Sequence, residues 1–483
     1  MRIARPLTLR GDALTIIDTF NVEPILLDVT GRLWQLYMTG EFSMRKVHGW
    51  IRSQFSHFGS RLSAALIVVA TFSVGGTADT LGQNAAAVKI DLRNGSQAAS
   101  WPNWMGPKHD GISTETGWSS TWPEGGLPVK WTAELGTGFS SFSIVDGLAY
   151  SMGHSDGQET VWCLDSESGQ KIWSHSYPAV LNPNLYEGGP GSTPTVHGDM
   201  VFTLSVDGRL IGFKRKTGEI DWEVDLQQEL EVGMHEWGFN ASPFILGKQL
   251  LLECGRVVSF DWQTGRKIWQ SPQHRAGYGS VRPFEHNGEI LLASLDCEGL
   301  RISHSNDGSE VAFSPWPSPF GTNSTTPIIV NDRIFVSSGY NVGSVMFRLT
   351  SGGLEQQYAH RNMRNHFNSS ILYEGNLYGF DGNSNLGRVV RLTCMDFETG
   401  EVKWKESGLG CGALIIVDGH QLILSDRGDL VLANASPDGF KEIARSRFLE
   451  GRCWTAPILL NGRVYGRNAA GHAVCCVLPK QAP

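Results

Sequence analysis

The sequence predicts an all-β fold. It reads as an eight-bladed β-propeller held by tryptophan-docking repeats, with an N-terminal strand completing the last blade. Three observations lead there. Glycine accounts for 57 of 483 residues and tryptophan for 16, while charged residues make up 18%, a balance that suits many tight turns and large flat rings. A short pattern recurs with tryptophan four residues after glycine. A strand–turn–strand pattern recurs eight times at near-constant spacing, which is how propellers show themselves in sequence.

Residues 1–43 read as an over-extended start or a non-structured extension. The apolar run Leu62–Val74 follows Arg45, Lys46, Arg52 and Arg61 and precedes small residues. It is short for a membrane span but suits the core of a signal peptide. With translation from Met44, residues 44–87 form that leader. The mature chain is then exported to the periplasm or cell envelope, without a membrane span. The first cysteine after the run is Cys163, so a lipid anchor is not expected. Residues 88–126 read as a linker and a tryptophan-rich strap, and 127–483 as the propeller.

The hairpin turns fall at Gly147, Gly198, Gly247, Gly288, Asp332, Gly375, Gly419 and Gly462, spaced by 51, 49, 41, 44, 43, 44 and 43 residues. Four segments share the second pattern: LDSESGQKIW, FKRKTGEIDW, FDWQTGRKIW and MDFETGEVKW, ending at Trp173, Trp222, Trp269 and Trp404. Glycine there suits a positive-φ turn, and the tryptophan falls in the strand that follows. Phe313, Tyr358 and Ile443 lie near the tryptophan's place in three other repeats. The eighth stops before that strand, and LPVKWTAEL around Trp131 supplies it from the N-terminal side. Closure of this kind removes free sheet edges. The five tryptophans read as structural, bridging neighbouring blades.

The D-x-x-T-G-x-x-x-W repeat resembles the tryptophan-docking motif of the PQQ-type eight-bladed propellers, a group holding quinoprotein alcohol dehydrogenases and the non-enzymatic BamB-type propellers. The leader WPNWMGPKHDGIS and the stretch RCWTAPILLNGRVYGRNAAGH are similar to exported PQQ-binding-like repeat proteins. The resemblance covers about 101–478 and speaks to fold far more than to activity. It implies, as one function, a binding or scaffold module for an envelope protein or polysaccharide. As an alternative it implies a PQQ- and Ca²⁺-dependent alcohol or polyol dehydrogenase, for which Glu236, Asn240, Arg282 and Trp237 could supply several roles.

The eight cysteines read as buried thiols. Cys163, Cys394 and Cys475 occupy equivalent positions in different blades and should not bridge, Cys411 and Cys453 are the pair to watch, and Cys475 is adjacent to Cys476. No spacing suggests zinc. The alternating Asp381, Asn383 and Asn385 lack the glycine and later glutamate of a calcium loop and read as a polar turn, so no metal site is assigned. Net charge is −8, which argues against a nucleic-acid partner. No catalytic motif stands out, neither a nucleophile elbow nor a nucleotide loop. A polysaccharide hydrolase or lyase is a third reading, with no carboxylate pair to carry it. The connections that rise to the central channel are rich in binding groups, and loops on a rigid scaffold are where sites sit. The expected ligand-binding set is His235, Glu236, Trp237, Asn240, Arg282, Asn323, Arg364, His366, Asn368, Arg452 and Trp454, in a monomer; against a negative net charge, a locally basic mouth would be a specific feature.

Overall fold

The computed structural model describes residues 100–481 and, ahead of them, three short strands. Those strands, Leu7–Thr8, Ile25–Leu27 and Arg32–Gln35, form a small antiparallel sheet within a separate unit, Met1–Ala86. The expected leader at 44–87 lies outside the described residues.

The second unit is built from eight antiparallel sheets. Blade 1 begins with Ser143–Val145, blade 2 with Thr195–His197, blade 3 with Phe244–Leu246 and blade 4 with Arg282–His286. Blade 5 begins with Ile328–Val330, blade 6 with Ile371–Tyr373, blade 7 with Ala413–Val417 and blade 8 with Ile458–Leu460. In blades 1–7 four consecutive strands pair in order. Blade 8 supplies three, and Val129–Glu134 pairs with His472–Val477 as the fourth. The N-terminal strand thus closes the ring as the sequence predicts. At five of the hairpin turns two successive residues have positive φ, as in Asp146–Gly147 (51° and 77°) and Asp418–Gly419 (46° and 72°). This is the mirror-image turn whose twist matches paired strands.

Each fourth strand carries a bulge at the same place. Trp173 faces Cys163, but the next pair is Lys171 with Leu164, leaving Ile172 unpaired. The slip recurs in all eight blades, and a bulge re-aims the side chain beside it. The ring so aimed lies on a glycine of the next blade. A Cβ on Gly169 would meet the Trp131 ring at 2.6 Å, one on Gly218 would meet Trp173 at 2.6 Å, and one on Gly265 would meet Trp222 at 2.7 Å. The indole N–H donates to a carbonyl three residues before that glycine: Trp131 to Ser166 (3.0 Å), Trp173 to Arg215 (2.8 Å) and Trp222 to Trp262 (2.9 Å); Trp404 likewise donates to Ser436 O (2.8 Å), but its ring meets Phe440 and not a glycine. Trp269 packs on Gly308 without such a partner. The motif is therefore a two-sided joint, in which glycine receives the preceding blade's ring and tryptophan reaches the following blade.

In blade 5 Tyr358 takes the tryptophan position, its hydroxyl donating to Phe397 O at 2.8 Å. In blades 4 and 7 the register puts Ala312 and Ala444 there, one residue from the expected Phe313 and Ile443. Phe313 instead lies under Arg301, 4.7 Å from guanidinium carbon to ring centroid, and Ile443 is the bulged residue. All eight cysteines are buried thiols, with no bridge between Cys411 and Cys453.

Residues 101–113 run along the channel. Trp101 pairs with Ile144 of blade 1, and Val196 N of blade 2 donates to Pro102 O. His109 stacks on Phe244 of blade 3 at 4.1 Å, and Ile112–Ser113 adds a parallel fifth strand to blade 7. No helix among the described residues is long and apolar enough to cross a membrane.

Candidate functional site

Connections from the fourth strand of one blade to the first of the next converge on one end of the channel. The blade 2 to 3 connection starts with a one-turn helix, Leu226–Leu230. Asp225 caps it by accepting from Gln227 N and Gln228 N, and Glu231 at φ 53° stops it. The chain then returns inward through Trp237 and Asn240.

A cavity of about 270 Å³ lies at this mouth. Its walls are aromatic. Phe139 stacks against Trp454 (5.4 Å, 25°), Phe367 touches Trp454 from another side (4.5 Å), and Tyr186 meets Phe139 (5.4 Å). Elsewhere on the wall Trp237 meets Tyr278 edge-on, and Tyr340 meets His366. The residues that line the cavity include no Asp, Glu, Lys or Arg. His366 is neutral at pH 7, because burial lowers its pKa to about 4. Its Nδ1 accepts from Ser384 N at 3.2 Å, which leaves the ring proton on Nε2.

The floor is a ring of hydroxyls linking successive blades. Ser141 N donates to Thr193 Oγ1 (3.1 Å), Thr193 N to Ser242 Oγ (2.9 Å) and Ser242 N to Ser280 Oγ (3.0 Å). Ser280 N donates to Thr326 Oγ1 (3.2 Å), and Thr326 N to Ser369 Oγ (3.0 Å). Ala413 and Ala456 hold the corresponding places in blades 7 and 8. Asn368 spans that gap, its Nδ2 donating to Gly412 O (2.7 Å) and Trp454 O (3.2 Å).

Below the ring lies a second cavity of about 260 Å³, bounded by the strap and the inner strands of blades 3–6. Ser242, Ser280, Thr326, Ser369 and Trp104 line both cavities. Trp104 comes from the strap, so the N-terminal segment and the hydroxyl ring together separate the two spaces.

Of the eleven expected residues, Trp237, Asn240, His366, Asn368 and Trp454 line the mouth cavity. The others stand elsewhere. Arg282 lies below the ring, donating to His109 O (2.8 Å) and Lys108 O (3.2 Å). Asn323 is buried, tied to Asp296 O and Trp316 O between strands. His235 packs behind the wall on Phe239 (4.2 Å), and burial lowers its pKa. Glu236 is exposed on the rim, where Asn182 Nδ2 donates to its carbonyl at 3.1 Å. Arg364 pairs with Asp381 at 2.6 Å and Arg452 with Glu187 at 2.7 Å, the latter over Trp454. The guanidiniums of Arg364 and Arg452 thus already have carboxylate partners, and no Lys or Arg lines the mouth cavity itself. Asp381 also pairs with Lys405 (2.8 Å). Sequence reasoning missed Phe139, Tyr186, Tyr340, Phe367 and the hydroxyl ring. The Ser or Thr that precedes the first strand of blades 1–6, often before proline, was the visible trace of that ring.

Residues 109–283 match the family described as outer membrane protein assembly factor BamB. The chain is 31% identical over 102 residues to BamB of Salmonella typhimurium, covering 21% of this chain and 24% of that one. It is 23% identical over 230 residues to a quinoprotein ethanol dehydrogenase of Pseudomonas putida, covering 42% of this chain and 35% of the relative. The matched segments thus span about a third or less of these relatives. Among solved structures, quinohemoprotein alcohol dehydrogenase from Comamonas testosteroni superposes with a TM-score of 0.61 at 12% identity, covering 83% of this chain and 84% of that one. BamB from Moraxella catarrhalis superposes with 0.54 at 15% identity, covering 73% of this chain and all of that one. The chain carries the eight-bladed PQQ-type propeller fold. Both branches of that fold, dehydrogenase and assembly factor, stand among its likenesses.

The quinone of the first branch is a tricarboxylate held with Ca²⁺, and the mouth cavity does not fit it. A desolvated anion needs cationic partners, and hard cations need carboxylate oxygens; the cavity walls offer neither. The Asn240 amide donates to Trp237 O (2.7 Å) and Gly238 O (3.3 Å), while its Oδ1 packs against Gly191. Among the described residues no cluster of three His, Cys, Asp or Glu side chains could hold a metal.

Proposed function

We propose that this chain is a binding propeller of the cell envelope, a scaffold whose partner, a protein or a polysaccharide, engages the mouth cavity. One observation carries the reading: aromatic planes, amides and hydroxyls converge on a cavity lined by no Asp, Glu, Lys or Arg, whose one imidazole, His366, is neutral at pH 7. Such a cavity can recognise a ligand, and its single imidazole, His366, has no carboxylate among the lining residues to work with as an acid–base pair. The likeness to the BamB assembly factors supports the same reading. The basic residues and apolar run that read as a leader at 44–87 support export to the envelope.

A second reading, a PQQ- and Ca²⁺-dependent alcohol dehydrogenase, is favoured by the likeness to the quinoprotein enzymes. Calorimetric titration of PQQ into the protein, with and without Ca²⁺, separates the two. The binding-module reading predicts no Ca²⁺-dependent heat. Saturable, Ca²⁺-dependent binding with alcohol-driven dye reduction would replace it with the dehydrogenase.

A further inference from the structure

The chemistry of the mouth cavity narrows the ligand class, resting on the reading of the chain as a binding module. The backbone donors of the floor are already used, because the amides of Thr193, Ser242, Ser280 and Thr326 each donate to the hydroxyl of the next blade. What the floor presents is the hydroxyl side of that ring. A hydroxyl that accepts an N–H still has its own proton to give, and among the described residues no acceptor takes the protons of Ser242, Ser280 or Ser369. The floor is therefore a row of O–H donors, spaced by the blade repeat.

The walls complement it. Phe139 stacked on Trp454, with Phe367 tilted against the same indole, forms an aromatic wall on one side, and Trp237 with Tyr278 forms an edge-on pair. Flat aromatic faces pack against C–H surfaces at small cost in side-chain entropy. A ligand that satisfies both surfaces carries hydroxyls around its edge and C–H groups on its faces. An anion entering here would lose water without gaining a cation, since Arg364 and Arg452 are held by Asp381 and Glu187. A peptide bound by strand addition needs open backbone donors, which this floor lacks.

We infer that the mouth cavity binds a neutral, hydroxyl-rich carbohydrate, its ring faces on Trp454 and its neighbours and its hydroxyls on the Ser/Thr floor. A cavity of about 270 Å³ falls at the small end of ligand pockets, so it receives a chain end or a short segment.

The test titrates the full chain with maltotriose, cellotriose and chitotriose, with trigalacturonate as the acidic counterpart and with an uncharged aromatic tripeptide. Tryptophan fluorescence is the signal. At least one neutral trisaccharide should give a saturable change, and Trp454→Ala should weaken it about tenfold, the worth of one good aromatic contact. Saturation-transfer NMR on the unaltered protein should show transfer from aromatic protons to sugar C–H groups, a readout independent of any variant's folding. Preference for trigalacturonate, or for the tripeptide over every sugar, overturns the carbohydrate inference and leaves the binding-module reading standing. No response to any of the three classes also overturns the inference. The module reading itself fails only if Ca²⁺-dependent PQQ binding appears.

Discussion

The blade joint gives the sharpest test of how the sequence makes the fold. Gly218 and Gly198 both have positive φ, 74° and 56°. They differ in what a Cβ would meet. At Gly218 it would lie 2.6 Å from the Trp173 ring, and at Gly198 nothing lies within 4 Å. The left-handed conformation costs an alanine roughly 1–2 kcal/mol, and forcing extra volume into a packed contact costs about 1–3 kcal/mol more. Gly198→Ala should therefore destabilise the propeller by about 1–2 kcal/mol, and Gly218→Ala by about 2–5 kcal/mol. Urea titration followed by tryptophan fluorescence reads both, with unchanged slopes showing that the midpoint shifts are stability changes. Equal losses in the two variants would refute the argument, because the ring would then carry no weight beyond backbone strain.

Other expectations follow from buried groups. Arg467 is fully buried with no ion pair among the described residues, its Nη2 donating to Gly136 O at 2.7 Å and its Nη1 to Met152 O of blade 1, across the blade 8 to blade 1 seam; burial lowers its pKa to about 9. Arg467→Met should lower the melting temperature by several degrees, since buried carbonyls lose their donor at about 1–3 kcal/mol each, and an unchanged melt would contradict this. His366 and His109 are depressed to about 4 and about 3 by burial. The unfolded chain therefore binds more protons below pH 6.5, and stability should fall as pH drops from 6.5 towards 4; His366→Gln should flatten that slope in pH-dependent melts. Glu159 has the opposite sign. Burial raises it to about 8, so the stability it contributes is present below pH 4.5 and lost as pH rises towards 8, a trend that Glu159→Gln should remove. The eight buried thiols should stay unreactive to a thiol dye in the native state and react on unfolding. Burial pushes Cys163 and Cys475 up to about 12.

The blades were legible because each is a local unit, repeated with its own turn and ring. Trp131 could be assigned to the last blade because that blade alone ended early. The tryptophan substitutes were harder. The bulge shifts pairing by one residue, so Phe313 and Ile443 looked right on spacing while Ala312 and Ala444 hold the place. The site was half legible. Trp237, Asn240, His366, Asn368 and Trp454 could be read from loop composition. Arg282 could not be placed, because it is the first residue of its strand and falls on the far side of the hydroxyl ring. The charge of the mouth was not legible for a similar reason. The carboxylate that neutralises Arg452 comes from Glu187, 265 residues away, and no local pattern announces it. The hydroxyl ring links blades 1 to 6 in succession, so a single repeat shows only a serine or threonine ahead of a strand.

The claim that the mouth recognises its ligand without charge is tested most directly by salt. Binding of the best neutral trisaccharide should be measured by fluorescence titration across a wide range of ionic strength, beside its acidic counterpart. Exposed charge–charge attraction is screened within about 10 Å at 0.1 M salt. The account predicts an affinity for the neutral sugar that does not move with salt, and no measurable affinity for the acidic one. An acidic ligand that binds tightly at low salt and is released as salt rises would contradict it.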